Sequence, residues 1–395
     1  MSELQKRAIN FDEPRRVKEL GLYPYFRVLQ SGQDKEVVIN GKKVLMFGSN
    51  NYLGLTSHPK IKEAAIAAIK KYGSGTAGSR FLNGTLDLHL ELEKKLADFV
   101  GKEDSITFST GFQTNLGAIA GIIGRKDCII IDEQDHASLI DGTRLSFGKV
   151  YKYKHNDMES LEKVLIRQTD YDLKLIVMDG IFSMEGDIAK LDIIVGLAKK
   201  YNAIIMVDDA HGLGVLGKNG RGTANHFGVT DDVELITGTF SKSLASVGGF
   251  IAATKEVIDF LRHTARSFIF SASLPPAATA SVIAALDIIE ENTEIVDHLW
   301  KNTSLSIKLF NHYGIDIGKS ETPIIPIYIR DNEKTFILTK MLLDQGIFVN
   351  PVISPAVPPE QSLLRFSLMS TLTKHQIEYT IEKIYITGKQ IGISQ

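Results

Sequence analysis

Cysteine is nearly missing from this chain. One thiol, Cys128, in 395 residues excludes a disulfide framework and any thiolate metal site, and it fits a reducing cytoplasm. A surplus of positive charge is missing too. The 45 Lys and Arg stand against 47 Asp and Glu, a formal net charge of −2, so no nucleic-acid partner is expected. No apolar run approaches the roughly 20 residues needed to span a bilayer. The first stretch, MSELQKRAINFDEPRRVKEL, has no apolar h-region, so no signal peptide is expected there. It reads as a short mixed-charge arm packing on the body or on a partner subunit, in preference to a membrane-surface anchor. Internal repeats and low-complexity tracts are absent. What remains is a globular composition, 44% hydrophobic and 23% charged. The length exceeds one ordinary core, so more than one domain is expected.

Patterning supplies the fold class. EVVINGKKVLMFGSNNYLGL predicts two strands turning at Asn40–Gly41, and HPKIKEAAIAAIKKYG and LDLHLELEKKLADFVG predict helices closed by glycine. From Ser105 onward, short apolar β-rich runs alternate with helical segments: SITFST, CIIIDE, KVYKYK, LKLIVMDG, AIIMVDDA, VELITGTF and GFIAAT. Runs buried on both faces and separated by helices predict a mostly parallel sheet in an α/β layer. After Pro275–Pro276 one long helix is expected over ATASVIAALDIIEENTEIVDHLWKNTSLSIKLFNHYG, then the strands TPIIPIYIR, IFVNPVI and LLRFSLM and a closing helix. The division expected is an arm and strands over 1–48, a large α/β domain over 49–285 and a smaller α+β domain over 286–395.

Ligands of such sheets gather beyond the carboxyl ends of the strands. Five ends carry polar groups here: Ser109 to Phe112, Asp132 to His136, Asp179 to Ser183, Asp208 to His211, and Thr239 to Lys242. Three site chemistries compete for them. Gly212 to Gly217 fits G-x-G-x-x-G, but the next residues, KNGRGTANHFG, have no helical period to hold a pyrophosphate, which argues against a dinucleotide. GKK at 41–43 lacks the glycine spacing of a P-loop. The acidic and imidazole groups at 132–136 and 208–211 have no H-x-x-x-H spacing, and a metal would leave the lysine unexplained.

The remaining chemistry uses every strand end. A lysine amine becomes a covalent catalyst by condensing with an aldehyde, and pyridoxal phosphate (PLP) is the common partner. PLP needs a carboxylate at its ring nitrogen, for which Asp208 ends a buried run. It needs hydroxyls and free amides at its phosphate, which Thr239, Ser241 and the Gly111-Phe112 turn offer. It needs a flat partner, His136, and His211 lies three residues beyond Asp208 to reach its phenolic oxygen or a substrate carbonyl. Taken singly, these residues have ordinary structural readings, Lys242 facing solvent and the hydroxyls bonding local backbone. Together they point to PLP at Lys242.

Seven motifs then carry a resemblance: GSNNYLGL (48–55), GSRFLNGTLDLHLELE (78–93), STGFQTN (109–115), DEQDHASLIDG (132–142), DGIFSMEGD (179–187), VDDAHGLGVLG (207–217) and GTFSKSLASVGG (238–249). In this order they resemble the α-oxoamine synthases, which condense an amino acid with an acyl-CoA thioester. The resemblance runs from about Leu22 to the C-terminal helix. GSRFLNGTLDLH, GTFSKSLASVGGF and NPVISPAVPPEQSLLRFSLM are most similar to the bacterial branch that joins L-serine to palmitoyl-CoA.

The resemblance implies a fold-type I, aspartate aminotransferase-like PLP fold, with a large mostly parallel-sheet domain and a smaller C-terminal one. It implies a homodimer with sites at the subunit interface. Its reaction is a decarboxylative condensation giving 3-oxosphinganine, CoA and carbon dioxide, the first step of sphingolipid synthesis. Lys242 is then the Schiff-base lysine and the base at the α-carbon. Asp208 pairs with the ring nitrogen, and His136 stacks on the ring and meets the substrate carboxylate. His211 and Ser183 sit at the 3-oxygen. Thr239, Ser241, Gly111 and Phe112 hold the phosphate, while Asn50 and Arg365 meet the amino acid's carboxylate.

One position departs from the family pattern. Ala272 in FSASLPP stands where relatives often bring a threonine across the interface, so Ser271, Ser273 or a backbone amide would have to substitute. Two other readings stay open: a relative joining glycine to acetyl-CoA, and a non-catalytic PLP-binding α/β protein. A cytoplasmic location is expected, with room for transient contact with the inner membrane face.

Overall fold

The computed structural model describes residues 1–354 and 356–393. Near the N-terminus, β1 (Glu36–Ile39) and β2 (Lys42–Met46) form the expected hairpin, with positive φ at both Asn40 and Gly41. The seven apolar runs then become β3 (Asp104–Phe108), β4 (Cys128–Asp132), β5 (Lys149–Tyr153), β6 (Lys174–Asp179), β7 (Ile204–Asp208), β8 (Leu235–Thr239) and β9 (Gly249–Ala253). They build one sheet in the order β3-β9-β8-β7-β6-β4-β5. The five strands β4 to β8 run parallel; β9 is antiparallel to both β8 and β3.

Every residue of β4, β8 and β9 is buried, as expected for a sheet covered on both faces. The order places β4, β6, β7 and β8 side by side, so their carboxyl ends open on one edge. That edge holds the site. β3 delivers its own loop, Ser109 to Phe112, to the same place through the helix Gly111–Ile122.

The C-terminal part carries β10 (Ile324–Tyr328), β11 (Ile347–Phe348), β12 (Asn350–Val352) and β13 (Leu363–Ser367). β13 lies between β10 and β12, while β11 joins β2 in parallel. The last contact ties the first hairpin to the C-terminal part. The single long helix expected after the paired prolines is instead two, Pro276–Glu291 and Glu294–His312. They break at Asn292, which leaves helical geometry at φ −127° and ψ 84°. Asn and Thr side chains compete for backbone bonds, which makes Asn292-Thr293 a natural place to stop.

Candidate active site

All five strand ends line one cavity of about 310 Å³. Nine of the residues singled out from sequence face it: Gly111, Phe112, His136, Ser183, Asp208, His211, Thr239, Ser241 and Lys242. Asn50 and Arg365 do not line it: Arg365 is bonded to Ser183, which does, and Asn50 is bonded to Arg365.

One wall is built for an anion. Thr110 caps the helix Gly111–Ile122, its hydroxyl accepting from Gln113 N at 3.1 Å. The N–H groups of Gly111 and Phe112, which a helix cannot satisfy internally, therefore meet the cavity at the positive end of twelve aligned peptides. Thr239 packs directly on Gly111, where a Cβ would stand 2.7 Å from the threonine Oγ1. Only glycine brings the helix start this close. The Thr239 hydroxyl lies 3.0 Å from that of Ser241 and donates to Gly248 O at 3.1 Å.

A second wall carries a carboxylate. Asp208 ends β7 and is 5% exposed. Its Oδ1 accepts from Ala210 N at 3.0 Å, and its Oδ2 accepts from Asn115 Nδ2 at 2.6 Å. Asn115 also donates to Ser138 Oγ at 2.9 Å, and that hydroxyl lies 2.8 Å from His136 Nδ1. His136 caps the helix Ala137–Leu145, which fixes its backbone and leaves its ring exposed at the cavity. Partial burial and the Lys242 charge hold its pKa below the ordinary value against the pull of Asp208.

Lys242 sits on the tight loop after β8, closed by Phe240 N to Gly248 O at 2.9 Å and Ser246 N to Phe240 O at 2.9 Å. Loss of water draws its amine down to about 8, although Asp208 and Asp179 pull the other way. Near neutral pH such an amine has an appreciable uncharged fraction. His211 is buried, and burial with the neighbouring Lys242 and Arg365 charges keeps its imidazole well below its usual pKa. Its Nδ1 lies 2.7 Å from the Tyr52 hydroxyl. Tyr52 reaches Asn50 Oδ1 at 3.2 Å, and Asn50 Oδ1 accepts from Arg365 Nη1 at 2.8 Å. Arg365 also donates through Nε to Ser183 O at 2.6 Å. A guanidinium 315 positions away from Asn50 is thus clamped beside the cavity.

Sequence reasoning missed Asn115, Ser138, Tyr52 and Asp179 as site members. Asn115 stands one helical turn beyond Gly111, a spacing that shares a face, and that signal was readable. Asp179 accepts from His136 N at 2.9 Å and was noted only as a polar strand end. At the departing position, the Ser273 hydroxyl donates to Gly78 O at 3.1 Å and Ser271 Oγ accepts from Gln113 at 3.3 Å. Both serines are thus engaged within the chain.

Gly212 to Gly222 folds as a compact loop around the buried Asp209, and the helical turns that follow its glycines are only three and four residues long, Lys218–Gly220 and Thr223–His226. Among the described residues no cluster of three or more metal-binding side chains forms. No described helix is long and apolar enough to cross a membrane.

A large sheet whose parallel strand ends share a cavity with a half-buried lysine defines the class, and the aminotransferase class I and II family matches residues 42–384. Relatives narrow it. A serine palmitoyltransferase of Sphingobacterium spiritivorum is 59% identical over 99% of this chain and 98% of its own. An 8-amino-7-oxononanoate synthase of Thermoanaerobacter pseudethanolicus is 43% identical over 95% and 96%. Among solved structures, a serine palmitoyltransferase variant of S. paucimobilis with a bound PLP–myriocin aldimine superposes with a TM-score of 0.96. It is 34% identical and covers all of both chains. The chain belongs to the α-oxoamine synthases, a branch of the aminotransferase class I and II family.

Proposed function

We propose that the protein binds PLP at Lys242 and joins L-serine to palmitoyl-CoA with loss of carbon dioxide, giving 3-oxosphinganine and free CoA. The observation that carries this reading is one cavity holding an anion cradle, a fixed carboxylate, a half-buried lysine and an exposed imidazole wall. That donor set fits PLP. The 59% identity to a serine palmitoyltransferase, against 43% to an 8-amino-7-oxononanoate synthase, supports serine and a long acyl chain.

PLP, when bound, supplies an electron sink for charge developing at the amino acid's α-carbon. The chain's residues do the rest. Gly111 N, Phe112 N and the hydroxyls of Thr239 and Ser241 hold the phosphate. Asp208, fixed by Asn115 and Ala210, holds a proton at the ring nitrogen and so keeps the sink strong. His136 would form the wall against the ring, and His211 with Ser183 would lie on the side of the 3-oxygen. Arg365, held by Asn50 and Ser183, receives the serine carboxylate through its planar fork. Lys242 Nζ, drawn toward neutrality by burial, takes the α-proton and later returns it.

A second copy of the chain completes the site in this reading. Phe112 and Val247 line the cavity yet are 42% and 58% exposed. Large apolar side chains left open around a catalytic mouth favour a homodimer with the sites at its interface.

The test is CoA release by the purified, PLP-loaded protein with palmitoyl-CoA and L-serine, compared with acetyl-CoA and glycine. Preferential release with the first pair is expected. Release mainly with the second would overturn the substrate assignment while keeping the site.

A further inference from the structure

The polar chain behind the cavity runs in one direction. The Asp208 carboxylate only accepts, so the Asn115 atom 2.6 Å from its Oδ2 is the amide nitrogen. Asn115 Oδ1 then faces Thr237, whose hydroxyl donates to it at 2.9 Å. The second amide hydrogen of Asn115 goes to Ser138 Oγ at 2.9 Å. Having accepted there, Ser138 turns its single hydroxyl proton to its other neighbour, His136 Nδ1 at 2.8 Å. Ser138 N also donates to that nitrogen, at 3.3 Å. Asn115 and Ser138 are 3% and 1% exposed, so water does not interrupt the sequence.

From this geometry we infer that Asn115 and Ser138 are positioning residues that confine the proton of His136 to Nε2. Nδ1 meets two donors and keeps its lone pair; a hydrogen there would face the hydrogens of both. Asp208 is thereby tied to His136 through Asn115, and one asparagine sets the orientation of the carboxylate and of the imidazole together. In the proposed reaction, on which this consequence rests, His136 offers an Nε2–H donor to the substrate and does not act as a base through Nδ1. The groups bearing on His136 are Asp208, Lys242 and Asp179, whose carboxylate accepts its backbone N–H.

The test begins without cofactor. Nitrogen-15 NMR of histidine-labelled apo protein reads the tautomer directly, with His136→Gln identifying the signal among the ten histidines. In the parent protein Nδ1 should appear unprotonated and Nε2 protonated. Ser138→Ala, which removes the shorter of the two bonds and keeps only the longer one from the residue's own N–H, should bring in a share of the Nδ1–H form, and Ser138→Thr, which keeps the hydroxyl, should restore the parent pattern. Asn115→Asp cannot donate to Ser138 and should act like Ser138→Ala, with Ser138→Ala deciding the matter where Asn115→Asp fails to fold. On the PLP-loaded protein, Ser138→Ala should lower kcat/KM for serine roughly tenfold, again with rescue by Ser138→Thr. A protonated Nδ1 in the parent, or an unchanged tautomer in Ser138→Ala, overturns the inference. Failure of the parent protein to condense serine would instead strike the proposed function and leave the tautomer result standing.

Discussion

Two neighbouring carboxylates at the end of β7 have opposite fates. Asp208 faces the cavity, held by Asn115 and Ala210. Asp209, the next residue, points away and is 1% exposed. The glycine-rich loop closes around it: a Cβ on Gly212 would stand 1.8 Å from its Oδ1, and one on Gly222 1.9 Å from its Oδ2. Thr223 donates to it through both N and Oγ1, at 2.7 and 2.6 Å, while burial lifts its pKa to about 6. The two glycine-bearing turns contrast in the same way. At Gly111 the missing side chain exposes helix N–H groups to a cavity; at 212–222 it lets a loop collapse on an internal carboxylate. Glycine spacing alone therefore says little; the residues after the glycines, helix-forming in one case and turn-forming in the other, decide.

Several changes separate the cavity side from the loop side. Lys242→Ala should abolish condensation and the visible absorbance of lysine-bound PLP, with little change in thermal stability. Activity assays and absorbance spectra check this. Asp208→Asn should cost roughly 10²–10³-fold in kcat while leaving Tm near that of the parent. Asp209→Asn should do the reverse, losing about 2 kcal/mol of stability and keeping activity at permissive temperature. Denaturant titration beside steady-state kinetics reads both.

Among glycines, Gly222→Ala meets both the Asp209 carboxylate and a φ of +104°, so a stability loss of about 2–4 kcal/mol is expected. Gly111→Ala should instead weaken PLP affinity, roughly tenfold, because the new Cβ pushes Thr239 from the helix start. Fluorescence titration with PLP distinguishes the two.

The smallest effect concerns pH and lies behind the site. The His155 ring nitrogens are 3.1 Å from Asp132 and 3.2 Å from Asp187. Burial lowers its pKa, but the two carboxylates outweigh burial and lift it to about 10. A raised folded pKa means stability fully present below about 6.5 and lost as pH climbs through about 10. Tm should fall across that window in the parent protein and fall less in His155→Gln.

Much of the fold was legible in the sequence, because each strand of the large sheet is a short run buried on both faces and bounded by turn residues. The order of those strands was not. Nothing local says that β9 inserts between β3 and β8 against their direction. The break at Asn292-Thr293 was hidden by apolar spacing that continues on both sides. At the site, residues that meet the cavity from strand ends could be named from sequence, since topology gathers such ends. Tyr52, Asn115 and Ser138 act through other side chains, and bonds such as Asn115 to Asp208, 93 positions apart, exist only once the chain has folded.

Every role proposed for the cavity depends on Lys242 being the residue that holds PLP there. Borohydride reduction of the PLP-loaded protein, followed by peptide mass mapping, tests it most directly. A pyridoxyl adduct on the peptide containing Lys242 is the result expected; an adduct on another lysine, or none, would contradict it.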